Sequence, residues 1–406
     1  MTAANREPAG LLVGGIAAGV AGSMADLLSP IYATSFHKGF GLSNTQAGFL
    51  VTAALGAMAV VEFGLAHSIG GRDLKKIATY GVAISSVALL YISQVSDQGF
   101  WTLFAGMLAL GLGCGLTFVA GNAALSYANN SERSFGLLTF WYMIFVFIMM
   151  STNPHLRKLY PIVLPYAAMV AVQLVCLALI WWKLPDTRLF VKKPAAENAG
   201  APTELKLFGP IPIMLGLSVT LSQLSLAALW TFAQELGRTA GLSSEATANF
   251  LGFSQLVGLL GTMAPWLLGR LIGRAALGAA GLLLSTVGLV GVALVHTPAA
   301  YIAGNLAVNL GYWIVLPLSL SIAADLDRNS GRLVAFMLGM SSIGLAIGPS
   351  LAGPLLGGED TTLGGWVFGL IGLIAVPLIV PPARAADRAA SLNKVASQSP
   401  PLSQNQ

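Results

Sequence analysis

Asp26 and Glu62 are the residues whose type and position could do chemistry in this chain. Of its 16 acidic residues, these two lie well inside long apolar stretches. A carboxyl near the middle of a membrane costs roughly 2.5–3.5 kcal/mol on insertion scales, so it is rarely left there without a use or a partner. Removal from water favours its neutral form, which prepares such a group to bind and release a proton. Asp26, near the middle of the first apolar stretch, is therefore expected to handle a proton or a substrate; the alternative is a protonated structural acid bonded to a neighbouring helix. Glu62 stands about two turns before the end of its stretch. It is expected to reach His67 or the basic loop beyond, in gating, in proton transfer or as a structural ion pair.

Polar and aromatic residues inside the apolar stretches form stripes at helical spacing. Asn305, Asn309 and Tyr312 or Trp313 recur at i, i+4 and i+7 or i+8, on one face, and Gln223, Ala227, Trp230 and Gln234 do the same. Asn122, Gln255, Trp141 and Tyr142 stand where they could join them. Amides that donate and accept, set beside aromatic faces, suit a hydroxylated or aromatic solute. The same residues also bridge helices and fill bundle interiors, so about half are expected to touch a substrate. No Lys or Arg falls near the middle of any apolar stretch. That argues for a solute that is neutral or cationic, or for an anion that enters with a proton.

Other chemistries find little support. Cys114 and Cys176 both lie in apolar stretches and read as small packing residues. His37, His67, His155 and His296 sit at the ends of stretches without metal-ligand spacing, so neither a metal site, a cofactor nor an enzyme is expected. A glycine-rich loop ending in Lys-Ser or Lys-Thr does not occur, which speaks against direct use of ATP.

The elements that must position these residues follow from composition. Hydrophobic residues make up 55% of the 406 and charged residues 9%. A soluble domain carries about 25% charged residues, so most of this surface faces lipid. The chain reads as an all-α membrane protein whose first span covers residues 10 to 36. Further spans are expected at about 46–70, 77–96, 99–128, 134–154 and 161–183, then 208–236, 246–272, 275–296, 299–324, 333–357 and 363–382. Each can cross roughly 30 Å of hydrocarbon at 1.5 Å per residue.

The polar stretch 184–207 divides these twelve spans into halves, residues 10–183 and 208–382, behind a short tail 1–9. Residues 383–406 read as a disordered tail. The halves repeat one another: Gly41-Leu42-Ser43 is matched by Gly241-Leu242-Ser243, and Asn130-Ser131-Glu132-Arg133 by Asn329-Ser330-Gly331-Arg332. With both termini in the cytoplasm, only Lys38, Arg157, Lys158 and Arg238 of the 21 Lys and Arg residues fall outside. This bias fixes the expected orientation and reads the basic loops as topology signals, not as a nucleic-acid surface.

Two six-helix halves joined by a charged loop resemble the major facilitator superfamily of secondary transporters. The likeness covers residues 8 to 383. The family's signature loop between its second and third helices, G-x-L-A-D-R-x-G-R-K, is similar to Gly64-Leu65-Ala66-His67-Ser68-Ile69-Gly70-Gly71-Arg72-Asp73. Gly64, Gly71 and Arg72 are kept, and Ser68 stands where the family usually has aspartate. The resemblance implies a gating role for this loop, with Asp73 available in place of the missing acid, and for Arg133 and Arg332 in the matching loops.

The arginine usual in the fourth helix of drug-proton antiporters is replaced by Met107, and their G-x-x-x-G-P pattern is absent from the fifth helix. A similar pattern occurs in the eleventh, as Gly344, Gly348 and Pro349. Gly41 to Gly48 and Glu132 to Gly136 look like members that import small organic compounds. The resemblance thus implies two pseudo-symmetric six-helix bundles that rock around a mid-membrane site, in a monomer of a bacterial-type inner membrane. Proton-coupled import of a small organic solute is the expected function, with Asp26 and Glu62 coupling protons. A drug or metabolite exporter, or a transporter-like receptor without flux, are the alternatives.

Overall fold

The structure is a computed structural model that describes residues 9–66, 69, 72–94, 99–127, 131–186, 208–326 and 332–398. His67, Ser68, Gly71 and the stretch 187–207 lie outside the described residues, as do the side chains of Arg133 and Arg332. The described residues form helices joined by short turns: α1 (Ala9–Gly22), α2 (Met24–Leu27), α3 (Ser29–Phe40), α4 (Asn44–Ala66), α5 (Leu74–Gln94), α6 (Phe100–Ser126), α7 (Ser131–Leu159), α8 (Val163–Lys183), α9 (Pro210–Thr239), α10 (Ser244–Ile272), α11 (Arg274–Leu294), α12 (Pro298–Leu326), α13 (Arg332–Leu356) and α14 (Thr362–Gln398). Eleven of them are long and apolar enough to cross a membrane, and α1 to α3 together make the remaining span. In hydrocarbon a backbone must satisfy its own polar groups, which is why the apolar stretches fold as helices.

The first span is not the continuous helix expected from its length. Its hydrogen-bond ladder runs through Ser23, whose N–H reaches Gly19 at 3.0 Å, and on to Leu27, whose N–H reaches Ser23 at 2.9 Å. It fails at Leu28. Pro30 has no N–H to give to the carbonyl of Asp26, and Ile31 donates to Leu28 at 2.9 Å instead of to Leu27. Asp26 therefore sits in a four-residue piece between two helical segments.

The last span also departs from expectation. Helix α14 continues past Pro382 to Gln398, where a disordered tail was expected. Alanines of high helix propensity carry it, and Ala383 and Ala386 are buried against the bundle. Asp387 then meets Arg274 at 3.6 Å, and Arg274 also reaches Asp325 at 2.6 Å, so α11, α12 and α14 are tied together at this end.

The internal repeat is visible in backbone detail. Gly41 and Gly241 both adopt positive φ, 68° and 85°, which glycine does without strain. In each copy the following leucine N–H turns back onto the preceding helix, Leu42 to Phe36 at 3.1 Å and Leu242 to Gly237 at 2.9 Å. The hydroxyls of Ser43 and Ser243 then cap the next helix, accepting from Gln46 and Ala246 at 3.2 and 3.1 Å.

Within the halves, helices approach at glycine. A Cβ on Gly113 would lie 2.5 Å from the Ser85 nitrogen, so α5 and α6 can touch only because none is present. Helices α4 and α13 pack across the two halves, and α7 packs on α10. Large apolar side chains such as Val60, Trp101 and Trp366 remain exposed around the outside. Lys183 lies over the ring of Trp182 at 3.6 Å, an arrangement suited to a membrane interface.

Candidate functional site

The break in the first span brings Asp26 into the space between the halves. Its carboxyl is half-buried, and no hydrogen bond or ion pair holds it among the described residues. Glu62 of α4, the Tyr142 hydroxyl of α7 and the Tyr312 hydroxyl of α12 lie within electrostatic reach of it. Four helices, one of them from the second half, thus present ionisable or hydroxyl groups to a common region. Tyr142 reaches it because Gly19 carries no side chain; a Cβ there would stand 3.1 Å from the Tyr142 oxygen.

The other three groups each have a polar neighbour. Glu62 accepts a short hydrogen bond from the Ser342 hydroxyl of α13, across the two halves. Asn122 is the polar neighbour of Tyr142, and Gln223 that of Tyr312. Gln223 also donates to Ser341 at 2.6 Å, linking α9 to α13. Behind Tyr312, inside the second half, lies a cavity of about 30 Å³ bordered by Ser222, Ser225, Ser285 and Thr286. That is room for one or two waters.

Trp230 crosses from α9 to the first span. Its indole Nε1 donates to the Leu27 carbonyl oxygen at 3.2 Å, the oxygen released by the break. Its ring packs against the apolar cores of both halves.

Further along the same end, the Thr34 hydroxyl lies 3.0 Å from Gln234 Oε1, and Lys38 lies 4.0 Å from Glu235. Lys158 bonds Glu245 at 2.7 Å, and Asn44 bonds the Gly357 carbonyl. The halves are therefore latched at the end that carries Lys38, Lys158 and Glu245. Nearer the opposite end, Glu62 and Phe63 of α4 meet Ser342 and Gly339 of α13.

The helical stripes divide on inspection. Tyr312 faces the common region, whereas Asn309 donates to Ser254 of α10 at 3.3 Å, and Trp313 lies against Gly258 of α10. Asn305 and Asn309 also bond back to Tyr301 and Asn305 in their own helix. Gln255 is buried in α10. Trp141 is exposed and stacks edge-on against Phe140, 5.9 Å between centroids. The structure thus gathers Asp26, Glu62, Asn122, Tyr142, Gln223, Trp230 and Tyr312, and gives Asn305, Asn309 and Trp313 contacts elsewhere.

Among the loop residues, Asp73 accepts from the Lys76 N–H at 3.2 Å and so caps α5. Arg72 is exposed and Gly64 faces open space. The residues that sequence reasoning missed are Ser342, Ser341, the Leu27 carbonyl and Pro30. Of these only Pro30, two residues beyond a pair of leucines, left a signal in the sequence.

The family model for the Major Facilitator Superfamily matches residues 11–349. The chain belongs to the major facilitator superfamily. A solved structure described as the nucleoside transporter NupG, D323A mutant, shares its fold with a TM-score of 0.65, covering 94% of this chain and 99% of that one at 14% identity. A comparison with curated proteins returns no match. This superfamily member is a transporter rather than an enzyme, and its twelve spans form the superfamily's helical bundle. Among the described residues no group of three or more His, Cys, Asp or Glu is placed to hold a metal ion. In this superfamily chain the glycines of α13 have a packing role: a Cβ on Gly348 would lie 2.6 Å from the Leu224 carbonyl oxygen of α9.

Proposed function

We propose that this protein imports a small organic solute together with a proton, by rocking its two halves around the region that holds Asp26, Glu62, Tyr142 and Tyr312. The observation that carries this reading is Asp26 itself: an unpaired carboxyl at a helix break, within the field of a second carboxyl and facing the other half. Two acids in a poorly hydrated space do not both hold their charge easily, so the pair takes up a proton when it is closed off and yields it when one side fills with water. Ser342 connects that event to the packing of the halves, because its hydroxyl bonds Glu62 from α13.

We place both termini inside, which makes the end latched by Lys38, Lys158 and Glu245 the outer one. Import is the direction favoured, since the stretch of α7 from Phe140 to Phe147 holds neither glycine nor proline, unlike the exporter pattern. Tyr142, Tyr312, Asn122, Gln223 and Trp230 supply hydroxyls, amides and rings for an organic solute. The protein acts as a monomer in an inner membrane.

Purified protein in liposomes, with a pH-sensitive dye inside, tests this reading. A solute from a panel of sugars, nucleosides, amines and carboxylic acids should carry protons inward when added outside, and the double variant Asp26→Asn, Glu62→Gln should not. Solute flux that moves no protons in the wild type would refute the coupling.

A further inference from the structure

The surroundings of Asp26 are rich in acceptors. In an unbroken helix the carbonyl of residue i receives the N–H of residue i+4. Pro30 cannot supply that N–H to Asp26, and Ile31 gives its own to Leu28 at 2.9 Å, so Leu27 too loses its partner within the helix. One turn therefore holds two carbonyl oxygens without their regular i+4 donors beside an unpaired carboxyl, that of Asp26 receiving the Leu28 N–H from within the turn. The indole of Trp230 reaches one of the carbonyls, and its single N–H serves no other acceptor.

Charge is equally one-sided. Glu62 adds a second carboxyl, while the described Lys and Arg side chains stand at span ends: Lys38, Arg157, Lys158 and Arg238 at one, Lys75 and Arg274 among those at the other. Three aromatic side chains, Tyr142, Tyr312 and Trp230, stand around the same region. An anionic solute would meet two carboxyls and no countercharge. A neutral one would leave the Asp26 carboxylate without a partner, or require it to stay protonated. A positively charged nitrogen supplies what is missing, since it pairs with the carboxylate, donates to carbonyl oxygens and is attracted to aromatic faces.

We propose that the solute carries an ammonium or protonated amine, received by the Asp26 carboxylate together with the backbone oxygens of the broken turn. This rests on the transport reading above and divides the two acids: Asp26 takes the solute's cation, and Glu62, held by Ser342, takes the coupled proton. The organic remainder of the solute lies among Tyr142, Tyr312 and Trp230.

Thermal stabilisation of the purified full-length protein provides the test, because a ligand that binds only the folded state raises the melting temperature with the logarithm of its concentration. The probes are a panel of primary, secondary and quaternary amines that includes phenethylamine, with 2-phenylethanol and phenylacetate as its uncharged and anionic counterparts. At a pH where the amines are charged, amines should stabilise the protein and the two counterparts should not. Asp26→Asn should lose the shift.

Equal or greater stabilisation by 2-phenylethanol or phenylacetate, no shift with any amine, or an amine shift that survives Asp26→Asn overturns the proposal. Should Asp26→Asn not fold, the wild-type comparison of amine, alcohol and carboxylate decides alone. Failure of the transport reading is separate, because it appears as an absence of solute-driven proton movement in liposomes from the same preparation. A neutral solute that moves protons would overturn the ammonium assignment and leave transport standing.

Discussion

The indole nitrogen of Trp230 lies 3.2 Å from the carbonyl oxygen of Leu27, and this hydrogen bond joins the two halves at the point where the first span is broken. A carbonyl that has lost its helical donor needs another away from water, and the opposite half supplies it. Opening the latched end must part the two, which makes this bond a component of the conformational balance.

Trp230→Phe keeps an aromatic ring and removes the donor. Leaving the Leu27 oxygen unpaired costs about 1–3 kcal/mol, and because 1.4 kcal/mol is a factor of ten, the latched conformation should lose population roughly tenfold. Labelling of a cysteine placed at Thr34 should speed up accordingly in the variant. An unchanged labelling rate would mean that the bond does not bear on opening.

The contact of Ser342 with Glu62 should couple the two residues energetically. Ser342→Ala and Glu62→Gln, alone and together, form a double-mutant cycle on the melting temperature. Residues in direct contact show interaction energies of about 0.5–3 kcal/mol, so the combined loss should fall short of the sum. Strict additivity would indicate that the hydroxyl and the carboxyl do not interact in the membrane.

Arg274, Asp325 and Asp387 should contribute modestly to stability. Their side chains are 23%, 24% and 42% exposed, and pairs of that kind contribute roughly 0–1 kcal/mol, screened by salt. Asp387→Asn is expected to lower the melting temperature slightly at low salt and not at high salt. Truncation after Pro382 should cost more, because it also removes the buried Ala383 and Ala386. A truncated protein as stable as the full chain would contradict the docking of this extension.

The start of α14 has its own pH dependence. The Thr362 N–H, 2.9 Å from Asp360 Oδ1, holds the Asp360 carboxyl below the usual carboxylate range. A depressed folded value means the cap stabilises the helix fully above the normal carboxylate range and is lost as pH falls through that depressed value. Hydrogen exchange at Thr362 corrected for intrinsic rate should therefore quicken on acidification, and Asp360→Asn should blunt the effect. Exchange independent of pH would rule out the cap.

Much of this fold could be read from residues alone, for reasons that are physical. Hydropathy marks spans because lipid tolerates few charges, and Gly41 and Gly241 mark the repeat because both turns need positive φ. Asp26 and Glu62 stood out since acids inside spans are costly. The stripe on α12 could not be apportioned: helical spacing puts Asn309, Tyr312 and Trp313 on a broad face, and only the neighbouring helix decides that Asn309 and Trp313 turn to α10. Partners drawn from the other half, such as Ser342 for Glu62 and Leu27 for Trp230, have no local sequence signal. The helical run to Gln398 was hidden because its polar residues read as solvent-loving, although Ala383 and Ala386 have a surface to cover.

The central claim is that protonation of the Asp26 and Glu62 pair sets which end of the protein is open. Spin labels at Lys38 and Arg238, on opposite halves of the latched end, report it directly in the full-length protein in lipid. The account predicts a distance distribution that shifts between acidic and alkaline pH in the wild type and stays fixed in the double variant Asp26→Asn, Glu62→Gln. A distribution that ignores pH in the wild type, or one that shifts equally in the double variant, would contradict it.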